Sequence, residues 1–247
     1  MLWIQYCISS GAVAACNFNN EIAFGGNYIV QKDFRRINIG KQLFNHIKEH
    51  VGSRNVGING VENMVEHYQS VGFVNKAFPI LTYTGKPNQR TFSIIADRNN
   101  QPLIKYTCNL FEELFHYDTE IHTTPRREFL KCWLNENITT TYCVVNSGKI
   151  IGYGCVQPTD RGVYAIGPVY ADTPDIAHSL FTKFMLSVPD GSGVAMNILP
   201  DNKLLMDIVH KHSLTLQLKM YRMYRTKTPQ LDLDRVYAFS TVGISLV

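Results

Sequence analysis

The sequence predicts an α+β fold built from two similar units in tandem. Short apolar, β-branched and aromatic runs bounded by turn residues are typical of strands. Between them, apolar residues recur at spacings of three and four, which indicates amphipathic helices. The order strand, strand, strand, helix, strand, helix, strand occurs twice along the chain. A repeat of architecture on this scale favours two related units that share one plan.

The length and composition fit this interpretation. The chain has 247 residues, which is about 1.6 domains at roughly 150 residues each. Hydrophobic residues make up 45% of the sequence and charged residues 18%. This balance provides enough material for packed cores and excludes disordered, collagen-like and coiled-coil proteins.

The first unit is predicted to span residues 1–90. Its turn signals bound strands at 2–8, 12–18 and 22–30, and Ile39, Leu43, Ile47 and Val51 place an amphipathic helix over 39–51. A short strand at 56–58, a helix over 61–68 closed by Gly72, and a strand at 78–84 complete it. Glycine is the usual residue just beyond a helix end, which supports the second helix boundary.

A second unit is predicted over residues 101–247, after a linker at 91–100 that is rich in turn-forming and charged residues. Helices are expected at 110–117, 126–134, 176–188 and 204–209. Strands are expected at 140–145, 150–156, 164–170, 194–198, 216–224 and 236–246.

Charge and cysteine usage limit the classes of partner. The chain has 24 Lys and Arg against 20 Asp and Glu, a net charge of +4 without any run of like charges, so we expect no nucleic-acid partner. The six cysteines are dispersed, which predicts reduced thiols in a cytoplasmic compartment and no metal site. No apolar run approaches the roughly 18 residues of a membrane helix, and no signal peptide is recognisable, so no membrane association is expected.

The first motif of chemical interest follows the strand that ends at Val30. A basic turn with Arg35 and Arg36 leads through Asn38 to Gly40, which opens the amphipathic helix. Free backbone N–H groups and the positive end of the helix dipole, reinforced by two guanidinium groups, suit a pyrophosphate. The same pattern also describes an ordinary solvated turn before a helix.

The second motif is Tyr68, Gly72 and Phe73 at the end of the following helix. In this order and separation, the two motifs resemble the GNAT superfamily of acyl-CoA-dependent N-acetyltransferases. The second half, through Asp118, Arg126 and other residues, resembles the C-terminal domain of tandem-GNAT proteins. This implies a mixed, mostly antiparallel sheet flanked by helices in each unit. It also implies a first unit that lacks the family's first strand and first helices.

The resemblance implies roles for individual residues. Tyr68 would protonate the departing CoA thiolate as a general acid. An amine would attack the bound thioester directly, and the acceptor would be an amine-bearing small molecule or protein. The strand edge that pairs with the pantetheine arm of acetyl-CoA would be Tyr28, Ile29 and Val30. The residues that cradle its pyrophosphate would be Arg35, Arg36, Asn38, Ile39, Gly40 and Lys41.

Several positions depart from the family pattern and leave alternatives open. Arg36 and Asn38 stand where the family usually has glycine; the Arg36 side chain either helps to bind phosphate or blocks the backbone approach. Tyr68 also lies on the apolar helix face, as a packed core tyrosine would. No convincing general base is present. A non-catalytic GNAT-fold binding module is therefore the alternative to an enzyme.

The second unit is expected not to bind the donor. At its equivalent turn, Asp172 or Thr173 can cap the helix and Asp175 complements the dipole, and the two acids would repel phosphate. Val209 stands where Tyr68 would be. Further along, Tyr221, Arg222, Tyr224 and Arg225 alternate on a predicted strand. They form either a polar face for the acceptor or for docking, or the ordinary alternation of a half-buried strand.

Overall fold

The computed structural model describes residues 3–8, 10–89, 102–135, 138–159 and 162–240. The α+β class is confirmed. The strand, strand, strand, helix, strand, helix, strand order is present in both halves. The predicted linker at 91–100 and the end of the predicted 236–246 strand lie outside the described residues, and the division into units 1–90 and 101–247 stays a prediction.

The described strands and α-helices of the first half follow the predicted order. The helix predicted at 39–51 and the strand predicted at 22–30 have the expected bounds. The strands are β1 (Trp3–Ile8), β2 (Gly11–Asn17), β3 (Ile22–Val30), β4 (Asn55–Val61) and β5 (Asn75–Gly85), and the helices are α1 (Ile39–Val51) and α2 (Val65–Ser70).

Three first-half elements have other bounds than predicted: the strands predicted at 56–58 and 78–84 are longer, and the helix between them is shifted. The helix predicted over 61–68 begins later, because Val61 is still in β4, where it pairs with Met220. A 3₁₀ turn (Glu62–Met64) precedes α2. Pairing with a distant strand has overridden the local helical spacing of Val61 and Met64.

The longest helix among the described residues lies in the second half. None of the described helices is long and apolar enough to cross a membrane. The short strand β6 was not predicted. The strands are β6 (Leu103–Lys105), β7 (Thr140–Asn146), β8 (Lys149–Pro158), β9 (Val163–Ala171), β10 (Gly193–Ile198), β11 (Thr215–Tyr224) and β12 (Val236–Ala238). The helices are α3 (Phe111–His122), α4 (Arg127–Trp133), α5 (Pro174–Ser187) and α6 (Lys203–Lys211).

The two halves share one continuous sheet rather than having one sheet each. Its strand order is β1-β2-β3-β4-β11-β5-β10-β9-β8-β7-β6, with β12 on β9. Strand β11 of the second half lies between β4 and β5, and β5 of the first half lies between β10 and β11. Each half therefore completes its sheet with a strand from the other, so they cannot separate without breaking backbone hydrogen bonds.

Two pairs of strands in the described sheet are parallel, and both diverge. Strands β3 and β4 pair from Ile22 opposite Asn55 only as far as Phe24 opposite Gly57, although both strands continue. Strands β9 and β10 pair as far as Ile166 opposite Met196 and then separate. Each half thus contains a cleft that opens in the middle of its sheet.

Candidate functional site

The first cleft exposes strand edges with no strand between them. Beyond Phe24 and Gly57, no described strand pairs with β3 or β4 on the edge that faces the other. A bulge in β3 lies next to this point: the register against β2 shifts, and Asn27 has a φ of 53°. Bulges bend and re-aim strands. Open N–H and C=O groups on such edges can accept an extended amide chain as an additional strand.

Helix α1 begins beside this cleft with its first N–H groups free of a side-chain cap. Its first intrahelical bond runs from the N–H of Gln42 to the carbonyl of Asn38, at 3.1 Å. The N–H groups of Ile39, Gly40 and Lys41 therefore come before the helix's own hydrogen bonding. The macrodipole adds a partial positive charge here. These are three of the residues assigned from the sequence to the pyrophosphate.

The loop keeps a glycine-like backbone without the glycines. Arg36 and Asn38 have φ values of 67° and 72°, in the left-handed region. Asparagine tolerates this region, whereas arginine pays about 1–2 kcal/mol for it. Arg36 is exposed. Arg35 is committed to the protein, because its Nε donates to the carbonyl of Val30 at 3.0 Å.

Tyr28 links the strand to the helix. Its hydroxyl lies against Gly40, where an added Cβ would come within 2.5 Å of the hydroxyl oxygen. A larger residue at position 40 would therefore displace the exposed Tyr28 side chain. Ile29 pairs with Ala12 of β2, and Val30 packs against the core next to α1. The structure therefore brings the three predicted strand residues and the helix start together.

Tyr68 lies over β4 at the same cleft. A Cβ on Gly60 would come within 2.8 Å of the Tyr68 ring, and the ring also meets Phe73 edge-on, with centroids 6.2 Å apart. Burial, with a smaller contribution from nearby Tyr28, raises the pKa of the Tyr68 phenol. The hydroxyl therefore stays protonated near neutral pH and is available as a proton donor, although its ring is also part of the core around α1.

The sequence missed one polar atom near the cleft. The Oδ1 atom of Asn27 is buried and has no hydrogen-bond partner. Buried acceptors are nearly always paired, so this atom lacks the partner it would usually have. The uncapped amides of α1 and the open strand edges together fit a chain of amides that ends in a pyrophosphate. Glu21 and His67, two titratable side chains of the first half that could be considered as a general base, are both exposed.

The second cleft is filled by the chain itself. Strand β12 pairs with β9 beyond the point of divergence, with Val236 opposite Tyr170 and Ala238 opposite Val169. The N–H of Phe239 then donates to the carbonyl of Asn197 on β10, at 2.9 Å. A Cβ on Gly167 would run into the backbone carbonyl of Phe239. The edges that are open in the first cleft are therefore satisfied in the second.

The helix that starts beside the second cleft is also capped. The Thr173 side chain accepts from the N–H of Ile176, and Pro174 and Asp175 occupy the first turn of α5. Asp172, the other candidate cap, instead binds Arg235 at 2.7 Å and accepts from the Tyr117 hydroxyl at 3.0 Å. Of the two predicted caps, the structure selects Thr173.

The second-half counterpart of Tyr68 is confirmed by geometry. After α2, the N–H of Phe73 donates to the carbonyl of Tyr68 at 2.9 Å, and after α6, the N–H of Leu214 donates to the carbonyl of Val209 at 2.9 Å. The two helix ends thus make equivalent hydrogen bonds, and buried Val209 occupies the position that corresponds to Tyr68. The second half has no phenol there.

A buried polar cluster in the second half was not assigned any role from the sequence. Asp118 is fully buried and accepts from Nε and Nη2 of Arg126, at 2.7 and 2.6 Å, and from the Tyr153 hydroxyl. The Tyr170 hydroxyl meets Nε2 of His122 at 2.9 Å. Burial, the largest single effect, would raise the pKa of Asp118, but the charge and hydrogen bonds of Arg126 together with the other groups around the carboxylate lower it. Among the described residues, no group of side chains is arranged to hold a metal ion.

Residues 114–238, just over half of the chain, match the sequence profile of the acetyltransferase (GNAT) domain. The chain belongs to the GNAT acetyltransferase family. The matched range lies in the second half of the chain and does not include Tyr68 or the loop before α1.

Individual relatives extend the similarity over most of the chain. The holothin acyltransferase of Pseudoalteromonas sp. (strain SANK 73390) is 25% identical over 234 residues, which are 94% of this chain and 76% of that protein. A putative acetyltransferase from Pyrococcus horikoshii has a TM-score of 0.71 at 17% identity, covering 93% of this chain and 74% of that one. A tandem GNAT protein from the clavulanic acid biosynthesis pathway has a TM-score of 0.59 at 12% identity, covering 90% and 80%. The predicted GNAT and tandem-GNAT resemblance is thereby confirmed.

Proposed function

We propose that this protein is an N-acetyltransferase that binds acetyl-CoA in the cleft between β3 and β4 and transfers the acetyl group to an amine. The observation that carries the proposal is the divergence of these strands beyond Phe24 and Gly57, beside the uncapped start of α1. Membership of the GNAT acetyltransferase family supports the reaction type. The similarity to an acyltransferase over 94% of the chain agrees with it.

In this proposal, the donor's amide arm adds to the open edge at Tyr28, Ile29 and Val30. Its pyrophosphate meets the amides of Ile39, Gly40 and Lys41, where the fixed N–H groups need no reorganisation. The Arg35, Arg36 and Asn38 backbone shapes this loop, and the exposed Arg36 guanidinium adds positive charge.

The chemical step needs no covalent enzyme intermediate. The neutral amine forms a bond to the thioester carbonyl carbon, the carbon–sulfur bond breaks, and Tyr68 gives its phenolic proton to the leaving sulfur. The amine's own proton passes to solvent and the phenolate is reprotonated from water. A raised phenol pKa keeps the proton on Tyr68 until the thiolate develops.

We assign donor binding to the first half alone. In the second half, β12 and Phe239 fill the equivalent cleft, Thr173 caps the helix, and Val209 replaces the phenol. We also propose a cytoplasmic location, which the free thiols of the described cysteines support; these are Cys16, Cys108, Cys132, Cys143 and Cys155.

Calorimetric titration with acetyl-CoA tests the proposal. We expect Arg36→Glu to weaken binding by at least about tenfold, since it places a negative charge where the pyrophosphate is expected. Lys48→Glu makes the same charge change at the other, exposed end of α1 and should leave the affinity close to wild type. Absence of binding by the wild-type protein at millimolar acetyl-CoA would refute the proposal. Binding without thiol release across a broad amine panel would favour the non-catalytic module.

A further inference from the structure

A half-buried arginine faces a cavity on the sheet surface opposite Tyr68. Arg222 of β11 pairs in register with Asn59 of β4, and its Nε donates to the Asn59 Oδ1 at 2.7 Å. The next residue of β4, Gly60, faces Tyr68 instead. Because successive side chains on a strand point to opposite faces, Arg222 and Asn59 lie on the face away from α1 and α2.

This cavity adjoins the point where β3 and β4 separate. Phe24, the last residue of β3 that pairs with β4, lines it together with Arg222 and with Tyr170 and Phe239 of the second half. A donor held in the cleft would present its thioester between the two faces of the sheet. An acceptor in this cavity would reach that carbonyl from the side opposite Tyr68.

The cavity has an uncompensated positive charge. The Arg222 guanidinium donates to neutral partners, Asn59 and, at 3.4 Å, the Tyr224 hydroxyl. Among the described residues it takes part in no ion pair. The other arginine at the cavity, Arg126, is paired with buried Asp118. The adjacent His122 is neutral, because burial and the nearby arginines lower its pKa to about 3. An anion is the ligand that such a site favours.

The surroundings of Arg222 fix its orientation. Its guanidinium carbon lies 4.6 Å from the ring centroid of Phe24, 5.4 Å from that of Phe239 and 5.7 Å from that of Phe78. Guanidinium planes stack on such rings. The rings therefore hold the planar guanidinium group in place.

The site has a small inner cavity and a larger, more open outer region. The inner cavity has a volume of about 50 Å³, enough for a small head group. A neighbouring outer depression, which is largely open to solvent, shares the wall at Pro229, Gln230 and Leu231 and is bordered by Phe78 and Leu233. It leaves room for a larger body attached to a head group in the inner cavity.

From this geometry, we propose that the acetyl acceptor is a small amine that also carries an oxyanion, in the first instance a carboxylate, which binds Arg222. This inference rests on the proposed function. The amine and carboxylate would occupy the inner cavity and an apolar body the outer depression, as an α-amino acid with an aromatic side chain would allow. The fixed positive charge also favours the neutral, nucleophilic amine over its ammonium form.

Matched pairs of amines test the proposal. Phenylalanine is compared with phenylalaninamide, and phosphoethanolamine with ethanolamine, each with acetyl-CoA, by thiol release and by thermal shift of the protein. We expect the wild type to prefer the anionic member by about 10- to 100-fold, the value of a hydrogen bond to a charged group. Arg222→Gln should abolish the preference, mainly through KM. Which anionic member wins distinguishes carboxylate from phosphate.

Arg225→Gln is the matched control, since it removes the same charge one residue beyond β11. Its guanidinium donates to the backbone carbonyls of Gly52 and Arg54, away from the cavity, so the preference should persist. No preference in the wild type by either readout, or a preference unchanged in Arg222→Gln, would overturn the inference. Acetyl-CoA titration of the same variants separates the two proposals: normal donor binding without anion preference leaves the proposed function standing, and no donor binding removes both.

Discussion

Replacement of Asp118 by asparagine should be among the most destabilising conservative changes in this protein. The carboxylate is fully buried, and Arg126, which donates two hydrogen bonds to it, is only 4% exposed. The variant removes the negative charge and leaves the guanidinium buried without compensation. Breaking one side of a buried pair costs about 3–5 kcal/mol, a large share of the roughly 5–15 kcal/mol that stabilises a typical domain.

The expected measurement is a fall in Tm. For chains of about 150–250 residues each kcal/mol corresponds to roughly 2–4 °C, so Asp118→Asn should lower Tm by about 6–20 °C. The matched control is Glu112→Gln. Glu112 binds Arg127 through two contacts of 2.6 and 2.8 Å, as close as those of Asp118, but it is 62% exposed. Since water screens this pair, its loss should hardly change Tm.

The double variant Asp118→Leu with Arg126→Met separates the cost of a lone buried charge from the value of the pair. Removing both charges leaves no uncompensated ion, so the double variant should be more stable than Asp118→Asn. A Tm for Asp118→Asn as close to wild type as that of Glu112→Gln would refute the reasoning. A double variant less stable than the single one would show that the hydrogen bonds, rather than the charge balance, stabilise this cluster.

Two further predictions concern a proton donor and a buried base. Tyr68→Phe keeps the ring that packs on Gly60 but loses the phenolic proton, so kcat should fall by about 10²–10⁴-fold while the acetyl-CoA affinity stays unchanged. Tyr142→Phe in the second half is the control. An unaltered kcat in Tyr68→Phe would make Tyr68 a packing residue. His122 faces Asp118, Arg126, Tyr170 and Arg222, and its pKa falls from 6.5 to about 3 on folding. Below about pH 6.5 the unfolded chain therefore binds a proton at this imidazole, whereas the folded chain does not. Stability should therefore decline as pH falls from 6.5 towards 4, by at most about 1.4 kcal/mol per pH unit, and His122→Gln should flatten this decline in denaturant titrations; identical slopes would contradict it.

Local patterns in the sequence predicted the elements whose residues interact with their neighbours in the chain. The amphipathic spacing from Ile39 to Val51 and the apolar run from Ile22 to Val30 gave helix and strand bounds that the structure reproduces. Asn38 adopts the left-handed backbone that its side chain tolerates. These features depend on short-range sterics and periodicity, which are legible in a single sequence.

Features that depend on distant partners were predicted poorly. The strand foreseen at 56–58 extends to Val61 because β11, more than 150 residues later, pairs with it. The alternation of Tyr221, Arg222, Tyr224 and Arg225 left two interpretations open. In the structure, Arg222 lines a cavity, whereas Arg225 donates hydrogen bonds to backbone carbonyls. The spacing of residues along one strand cannot predict this difference.

The sequence by itself determined the α+β class and the duplicated element order, and its loop and tyrosine motifs indicated the resemblance to GNAT proteins. Only the tertiary structure decided that the halves exchange β5 and β11, that β12 fills one cleft while the other stays open, and that Asp118 and Arg126 form a buried pair. The physical reason is that strand pairing and charge burial join residues far apart in the chain. Their energies depend on which surfaces come into contact, and the local spacing of residue types along the chain carries no information about those contacts.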